Sequence, residues 1–512
     1  MSLNIAQILA ESSVRHRDRT AVVLGDLRIT YSQLWEGARQ YARVLQHNGV
    51  AVGDRVAILL PNTPHFPLAY FGALALGATV VPIHALLRGD EIAHVLRDSG
   101  AKLLICAAPL LPAGAEGAGQ VGIPVLQVMD GGDPELLRID QLALTAEPVS
   151  HIEPREPSDT AVILYTSGTT GTSKGAVITH LNIMMNVDVS VIDSFELVAG
   201  DIVLGCLPLF HTFGQTCCMN VSFRVGATIV LMPRFDGTAA LDLLESERCT
   251  IFMGVPTMYV AMLEATRDRE VKVRLSSALS GGAALPTAVL ERFKEVFGID
   301  ILEGYGLTET SAATFNQKGF PAKPGTVGRP FWGVEVGITD ANRDDRIQML
   351  PVDSLGEVVV RGHCVFAGYL NNPEATEATF TDGWFRTGDL GRLDSDGYLS
   401  IVDRKKDMIL RGGFNVYPRE VEDAMLRHPG IDRVAVVGTA DPVYGEEVCA
   451  VVVLNPDASD VTAQELIEWS RERIAGHKYP RVIQFADELP LGPSGKVLKR
   501  ALVIAPRTVV AP

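Results

Sequence analysis

Paired cysteines are missing from this chain of 512 residues. Its seven cysteines (Cys106, Cys206, Cys217, Cys218, Cys249, Cys364 and Cys449) show no C-x-x-C or zinc spacing. They read as small core hydrophobes in a reducing compartment. Also missing is any apolar run near the roughly 18 residues of a membrane span. The opening "MSLNIAQILAESSVRHRDRT" has only a short apolar stretch before a polar, helix-like run, which is not a secretory leader. These absences predict a soluble, cytoplasmic protein with no integral membrane segment. Positive charge is short too: the net charge is −16, so phosphates are repelled overall and no nucleic-acid partner is expected. No internal repeat is evident.

What is there is an ordinary globular balance, 47% hydrophobic and 21% charged, in a chain long enough for two or more domains. "RVAILLP" and "TVVPI" are predicted strands and "HFPLAYFGALALGA" is a predicted helix, an alternation that argues for parallel α/β layers. Residues 107–160, rich in Ala, Gly, Pro and acids, are expected to be mainly loops. "AVILYTS", "DIVLGCLP", "ATIVLMP" and "CTIFMGVP" resume the strands. From about 320, "GEVVVRG" and "DGYLSIVDR" predict a small β-rich subdomain. Beyond it lies a compact α+β tail with helices over "YPREVEDAMLRHPG" and "TAQELIEWSRERIAG", the second capped by Thr462 and Glu465 and ending on Gly476. The fold class is therefore α/β. A large N-terminal domain (1–405) combines layered α/β subdomains with the β-rich one, and a small α+β domain (406–512) follows.

The stretch "ILYTSGTTGTSKGAVITH" (163–180) breaks a strand into a loop of Gly, Ser and Thr with one lysine. Glycines let backbone N–H groups converge and hydroxyls add donors, which suits a phosphate cradle. It is not a P-loop, because Lys174 follows Ser173 and precedes Gly175. A low-complexity flexible loop is the alternative.

"GYGLTET" (304–310), "WFRTGDLG" (384–391), "VDRKKDMILRGGFNVYPREVE" (402–422) and "LPLGPSGK" (489–496) follow that loop in order. Together the five stretches resemble the acyl- and aryl-CoA ligase branch of the adenylate-forming superfamily, from roughly residue 10 to 502. The resemblance implies that a carboxylate attacks the α-phosphorus of ATP, giving an acyl-adenylate and pyrophosphate, and that coenzyme A then displaces AMP. It also implies a mobile C-terminal domain.

By the same resemblance, Thr166, Ser167, Gly168, Thr169, Thr170, Gly171 and Lys174 grip the polyphosphate. The family commonly has proline where Ser173 stands, so this loop is expected to be less stiff. Glu303, Gly304, Tyr305, Gly306 and Thr308 belong to the adenine and α-phosphate site, with Gly281, Gly282 and Ala283 as its backbone wall. Glu309, with the Thr166 hydroxyl, resembles the Mg2+ site, and oxygen-only donors suit that hard cation. Asp389 resembles the acid that accepts both ribose hydroxyls, with Arg404 in support. An ordinary turn is the other reading of Asp after Gly. Lys496 resembles the lysine that neutralises charge at the reacting carboxylate and α-phosphate. Lys406 matches the hinge position, and Gly412, Gly413 and Phe414 form the loop offered to coenzyme A. His211, in "LPLFHTFG", is either a packed core histidine or the group that positions the carboxylate or gates the acyl pocket; with it, Gln215 and Gly281 are expected to bind the acid.

The segment after His211, "TFGQTCCMNVSF", carries no charge until Arg224, which suits an apolar acid. No basic residue is placed for a dicarboxylate, and no aspartate for an amino group. A medium- to long-chain fatty acid is the expected substrate. An aryl or natural-product acid, a carrier-protein acceptor and a non-catalytic acyl or nucleotide binder are the alternatives. The chain is expected to be a monomer or homodimer with small-molecule partners only: the carboxylic acid, ATP and CoA.

Overall fold

Apolar runs of four to seven residues, each followed by Gly, Pro or a polar residue, fold here as strands of two parallel-centred sheets. The structure is a computed structural model that describes residues 2–166, 173–267, 269, 271–317, 319–458, 460–490, 497–502 and 504. The chain divides into two compact units, Met1–Val336 with Val360–Phe385, and Gly337–Val359 with Arg386–Pro512. Residues 337–359 and 386–404 thus group with the tail, which a single division at 405 would not give.

In the first unit, one sheet has nine strands. Its six central members are parallel, in the order Ile301–Tyr305, Ser277–Ser280, Ile251–Gly254, Ile202–Gly205, Thr228–Leu231, Thr20–Leu24. Helices Gly237–Ser246, Pro256–Ala265 and Thr287–Phe297 pack on it around Phe252, Tyr259 and Phe293, whose rings meet edge-to-face at 5.0 and 5.2 Å. A second sheet has seven strands, in the order Gly368–Tyr369, Lys174–Thr179, Thr160–Thr166, Thr79–Pro82, Arg55–Leu59, Leu103–Ala107, Val125–Val128. Each predicted strand quoted above lies in one of these sheets, or in the short strands Gly356–Gly362 and Leu399–Arg404.

The segment 107–160 is less loop-like than expected. It contains helices Leu111–Val121 and Ile139–Ala143 and strand Val125–Val128. The sequence "LPAGAEGAGQV" is poor in helix formers, yet its glycines are contact points. A Cβ on Gly114 would lie 2.6 Å from Cys106 Sγ, and one on Gly117 2.7 Å from Ile92. Close packing outweighs the intrinsic cost of about 1 kcal/mol per helical glycine.

In the second unit, the hairpin Ile431–Asp441/Gly445–Leu454 is flanked by strands Ile409–Arg411, Phe414–Val416 and Val482–Phe485. Helix Pro418–Met425 has Pro418 in its first turn, as expected. Helix Ala463–Arg471 is capped by Thr462, which accepts the Glu465 N–H, but it stops at Arg471 and not at Gly476.

Candidate active site

Parallel strands deliver their following loops to one edge of a sheet, and ligands of open α/β sheets bind there. Strands Ile301–Tyr305 and Ser277–Ser280, which are neighbours, and Ile202–Gly205, one strand removed on the same sheet, lead into Tyr305–Glu309, Gly281–Ala283 and the His211 loop. Register places Ser280 beside Glu303, so these groups start at one level.

Three devices shape this edge. Buried Asn62 donates to the Gly205 and Leu207 carbonyls at 3.1 and 2.8 Å and accepts the Leu209 N–H at 3.0 Å, fixing the chain ahead of His211. Glu303, 7% exposed, accepts the Leu285 N–H and so holds the end of the Gly281–Ala283 loop. A Cβ on Gly306 would fall 1.6 Å from the Ser311 carbonyl oxygen, so the turn that carries half-buried Thr308 and Glu309 closes only over glycine.

His211 is half-buried, and its Nδ1 accepts the Phe213 N–H at 3.3 Å. The following Phe213–Asn220 is a run of wide i→i+5 turns, a rare conformation often found at functional sites. Its Gln215, Cys217, Cys218 and Met219 are buried, and the Gln215 amide points back at the Leu209 carbonyl at 3.5 Å. Burial pushes the Cys217 and Cys218 thiols up to about 12, leaving them unreactive. Arg224 is paired with Asp188 at 2.8 Å. A Cβ on Gly281 would meet the Phe213 ring at 3.3 Å, and Gly282 has a φ of +83°.

On the seven-stranded sheet, Thr166 and Lys174 are cross-strand partners at the mouth of one hairpin. Ser167, Gly168, Thr169, Thr170 and Gly171, which complete the expected polyphosphate grip, lie outside the described residues, as does Lys496. The Ser173 carbonyl is bonded to His94 Nε2 at 3.0 Å. Tyr369, from the adjoining edge strand, donates its hydroxyl to Glu309 Oε1 at 2.7 Å, and the Lys174 ammonium stands 5.1 Å from its ring centroid. Glu309 suits a hard cation. Oxygens from phosphate and water would complete the shell of such a cation.

The second unit carries its own cluster. Asp389, 3% exposed, is the cross-strand partner of Arg404, whose Nε is 2.7 Å from its carboxylate. Asp389 also receives order from Thr387, whose hydroxyl accepts the Asp389 N–H at 3.1 Å. Lys405 pairs with Asp344 and Glu357 at 2.8 and 3.3 Å, so of the three consecutive cations only Lys406 is classed as exposed. Gly412 and Gly413 (φ +56° and +83°) make the two-residue turn of the hairpin Ile409–Arg411/Phe414–Val416. Positive φ at both positions is the type I′ requirement, a reason for glycine that is independent of any ligand. Phe414 is 58% exposed, its ring 4.9 Å from that of His477. Two of the described residues past 496 are tied down: the Leu498 N–H donates to the Pro490 carbonyl, and Lys499 pairs with Glu422 at 2.7 Å.

Glycines, hydroxyls and a carboxylate gathered at the carboxyl ends of parallel strands define a nucleotide-handling enzyme. The profile of the AMP-binding enzymes matches residues 9–370, and that of the AMP-binding enzyme C-terminal domain matches residues 420–496. The long-chain-fatty-acid–CoA ligase of Bacillus subtilis (strain 168) is 34% identical, covering 98% of this chain and 94% of that protein. A feruloyl-CoA synthase of Amycolatopsis sp is 36% identical over 94% of each. ATP-bound MatB from Rhodopseudomonas palustris shares the fold with a TM-score of 0.90 and 32% identity over 98% of each chain. The chain belongs to the AMP-binding enzyme family, as an AMP-forming acid–thiol ligase that makes acyl- or aryl-CoA thioesters with ATP and CoA.

Proposed function

We propose that the acid is apolar, a medium- to long-chain fatty acid, activated as its acyl-adenylate and passed to coenzyme A. The observation that carries this reading is the buried, uncharged turn Phe213–Asn220 after His211, with Phe213 against the Gly281 wall. The long-chain ligase of Bacillus subtilis supports it. The feruloyl-CoA synthase favours a second reading, an aryl acid packed against the same Phe213.

In step one, an oxygen of the acid bonds to the α-phosphorus while the α–β phosphoanhydride bond breaks and pyrophosphate leaves. Lys174, Thr166 and the 167–171 loop hold the polyphosphate; Tyr305, Thr308 and the Gly281–Ala283 wall hold the adenine end. Asp389 accepts the ribose hydroxyls with Arg404 beside it, and His211 orients the carboxylate. Lys496 offsets the charge that grows on the phosphorus oxygens. Magnesium, held by Glu309 and Thr166, supplies further charge neutralisation when bound. In step two the CoA sulfur bonds to the acyl carbon, AMP departs with the bonding pair, and the thiol proton is lost to solvent. Gly412, Gly413 and Phe414 receive the pantetheine arm, with Lys406 as the hinge.

The test is pyrophosphate release from ATP and Mg2+ across a panel of fatty and aryl acids, with and without CoA. Release should be greatest with a fatty acid, and thioester should form only when CoA is added. Lys496→Ala should lower kcat about 10²- to 10³-fold, as losing one transition-state donor does. Preference for an aryl acid would move the assignment to the second reading. Better turnover with a phosphopantetheine carrier than with free CoA would replace the acceptor. ATP binding without turnover, unchanged in Lys496→Ala, would mark a non-catalytic binder.

A further inference from the structure

Residues 366–369 touch both groups assigned to the polyphosphate and its cation. Tyr369 sits on the edge strand Gly368–Tyr369, paired with Ala176 of the strand that begins at Lys174. Its backbone N–H donates to the Thr376 hydroxyl at 2.8 Å, and its ring meets Phe366 edge-on at 4.9 Å, so the phenol is held at both ends. The hydroxyl donates to Glu309 Oε1 at 2.7 Å, and the Phe366 N–H donates to the Glu309 backbone carbonyl at 2.8 Å. The Lys174 ammonium lies 5.1 Å from the same ring, within cation–π range.

We propose that Tyr369 is a positioning residue that fixes the Glu309 carboxylate for the divalent cation and the Lys174 ammonium for the polyphosphate through one rigid phenol. The proposal deepens the functional reading above and rests on it. A donor on Oε1 restrains the carboxylate torsion and leaves Oε2 for a cation, so the ligand need not reorganise as the metal arrives. The ring face offers Lys174 attraction without a competing negative charge, which leaves the ammonium to a phosphate.

Calorimetric ATP binding, without acid or CoA so that nothing turns over, tests this across a magnesium series. Tyr369→Phe keeps the ring and loses the hydroxyl. The Mg2+ concentration for half-maximal enhancement of ATP binding should rise about 10- to 100-fold, the usual effect of losing a partner of a metal ligand. Magnesium-free ATP binding should be unchanged. Tyr369→Leu should in addition weaken magnesium-free ATP binding about 2- to 5-fold, through loss of the ring beneath Lys174. Glu309→Gln should abolish the Mg2+ enhancement, and adding Tyr369→Phe to it should then change nothing. A magnesium dependence within twofold of wild type in Tyr369→Phe would overturn the proposal. So would a further loss of ATP binding when Tyr369→Phe is added to Glu309→Gln, which marks a merely structural residue. Wild type that binds ATP equally with and without magnesium would overturn the assignment of Glu309 itself, and the proposal with it.

Discussion

Gly306 leaves its neighbour no room: the Ser311 carbonyl oxygen occupies the place where any Cβ would stand, 1.6 Å away. Gly306→Ala must therefore open the 306–311 turn and displace Thr308 and Glu309. Adenylation should fall by at least about 10²-fold, comparable to losing an oriented polar group. The thermal midpoint should drop as well. Glu309 in "GYGLTET" and Asp389 in "RTGDLG" are singled out by the motifs' resemblance to the family, since a lone acid in either stretch reads equally as a surface group or a turn. Asn62, His94 and Tyr369 escaped because their partners are far along the chain: 143 to 147 residues for Asn62, 79 for His94, 60 for Tyr369. The available signal for Asn62 was slight, a polar Pro-Asn-Thr-Pro just past the carboxyl end of a parallel strand, where sites form. Tyr369 lies in "AGYLNNPEAT", where nothing local marks its hydroxyl as the partner of a carboxylate.

At the scale of elements, Gly412-Gly413 carries two explanations that one pair of substitutions separates. Asparagine tolerates left-handed φ and valine does not. Gly413→Asn should keep the hairpin and, if glycine serves only the turn, keep the rate of thioester formation from a supplied acyl-adenylate. Gly413→Val should lose about 1–2 kcal/mol locally and slow that step. A slow Gly413→Asn with unchanged stability would show that bare backbone is needed by the incoming thiol. The strands were legible because buried parallel strands are continuous apolar runs. Helix Leu111–Val121 was not, since Gly114 and Gly117 read as breakers until Cys106 and Ile92 are seen against them. The wide turns of Phe213–Asn220 were equally hidden, because the insertion of a residue into a helical pattern depends on what packs around it.

Across the whole first unit, His180 ties the N-terminal segment to the seven-stranded sheet. Its Nδ1 accepts the Ile5 N–H at 3.2 Å, and its backbone N–H donates to the Asp159 carbonyl at 3.1 Å. Burial, aided by Arg155 and opposed by Asp159, lowers its pKa from 6.5 to about 4. The folded chain keeps the ring neutral where the unfolded chain would protonate it. This contribution is therefore fully present above pH 6.5 and is lost as pH falls to about 4, amounting to about 3 kcal/mol. His180→Asn, which keeps an acceptor without a titrating proton, should flatten that part of the stability profile measured by urea unfolding at pH 7 and pH 4.5. Equal losses in both proteins would exclude His180 as the acid-sensitive group. The architecture has a further consequence for biosynthesis. Strand Thr20–Leu24 lies between Leu27–Thr30 and Thr228–Leu231, and Thr228 bonds to a carbonyl 208 residues behind it. At ribosomal speeds of about 5–20 residues per second, that partner emerges about 10–40 s after the strand it must join. Strand Thr20–Leu24 is made early and docked late, so nascent chains stalled before residue 228 should expose it to protease and chaperone, and those stalled well past 231 should hide it.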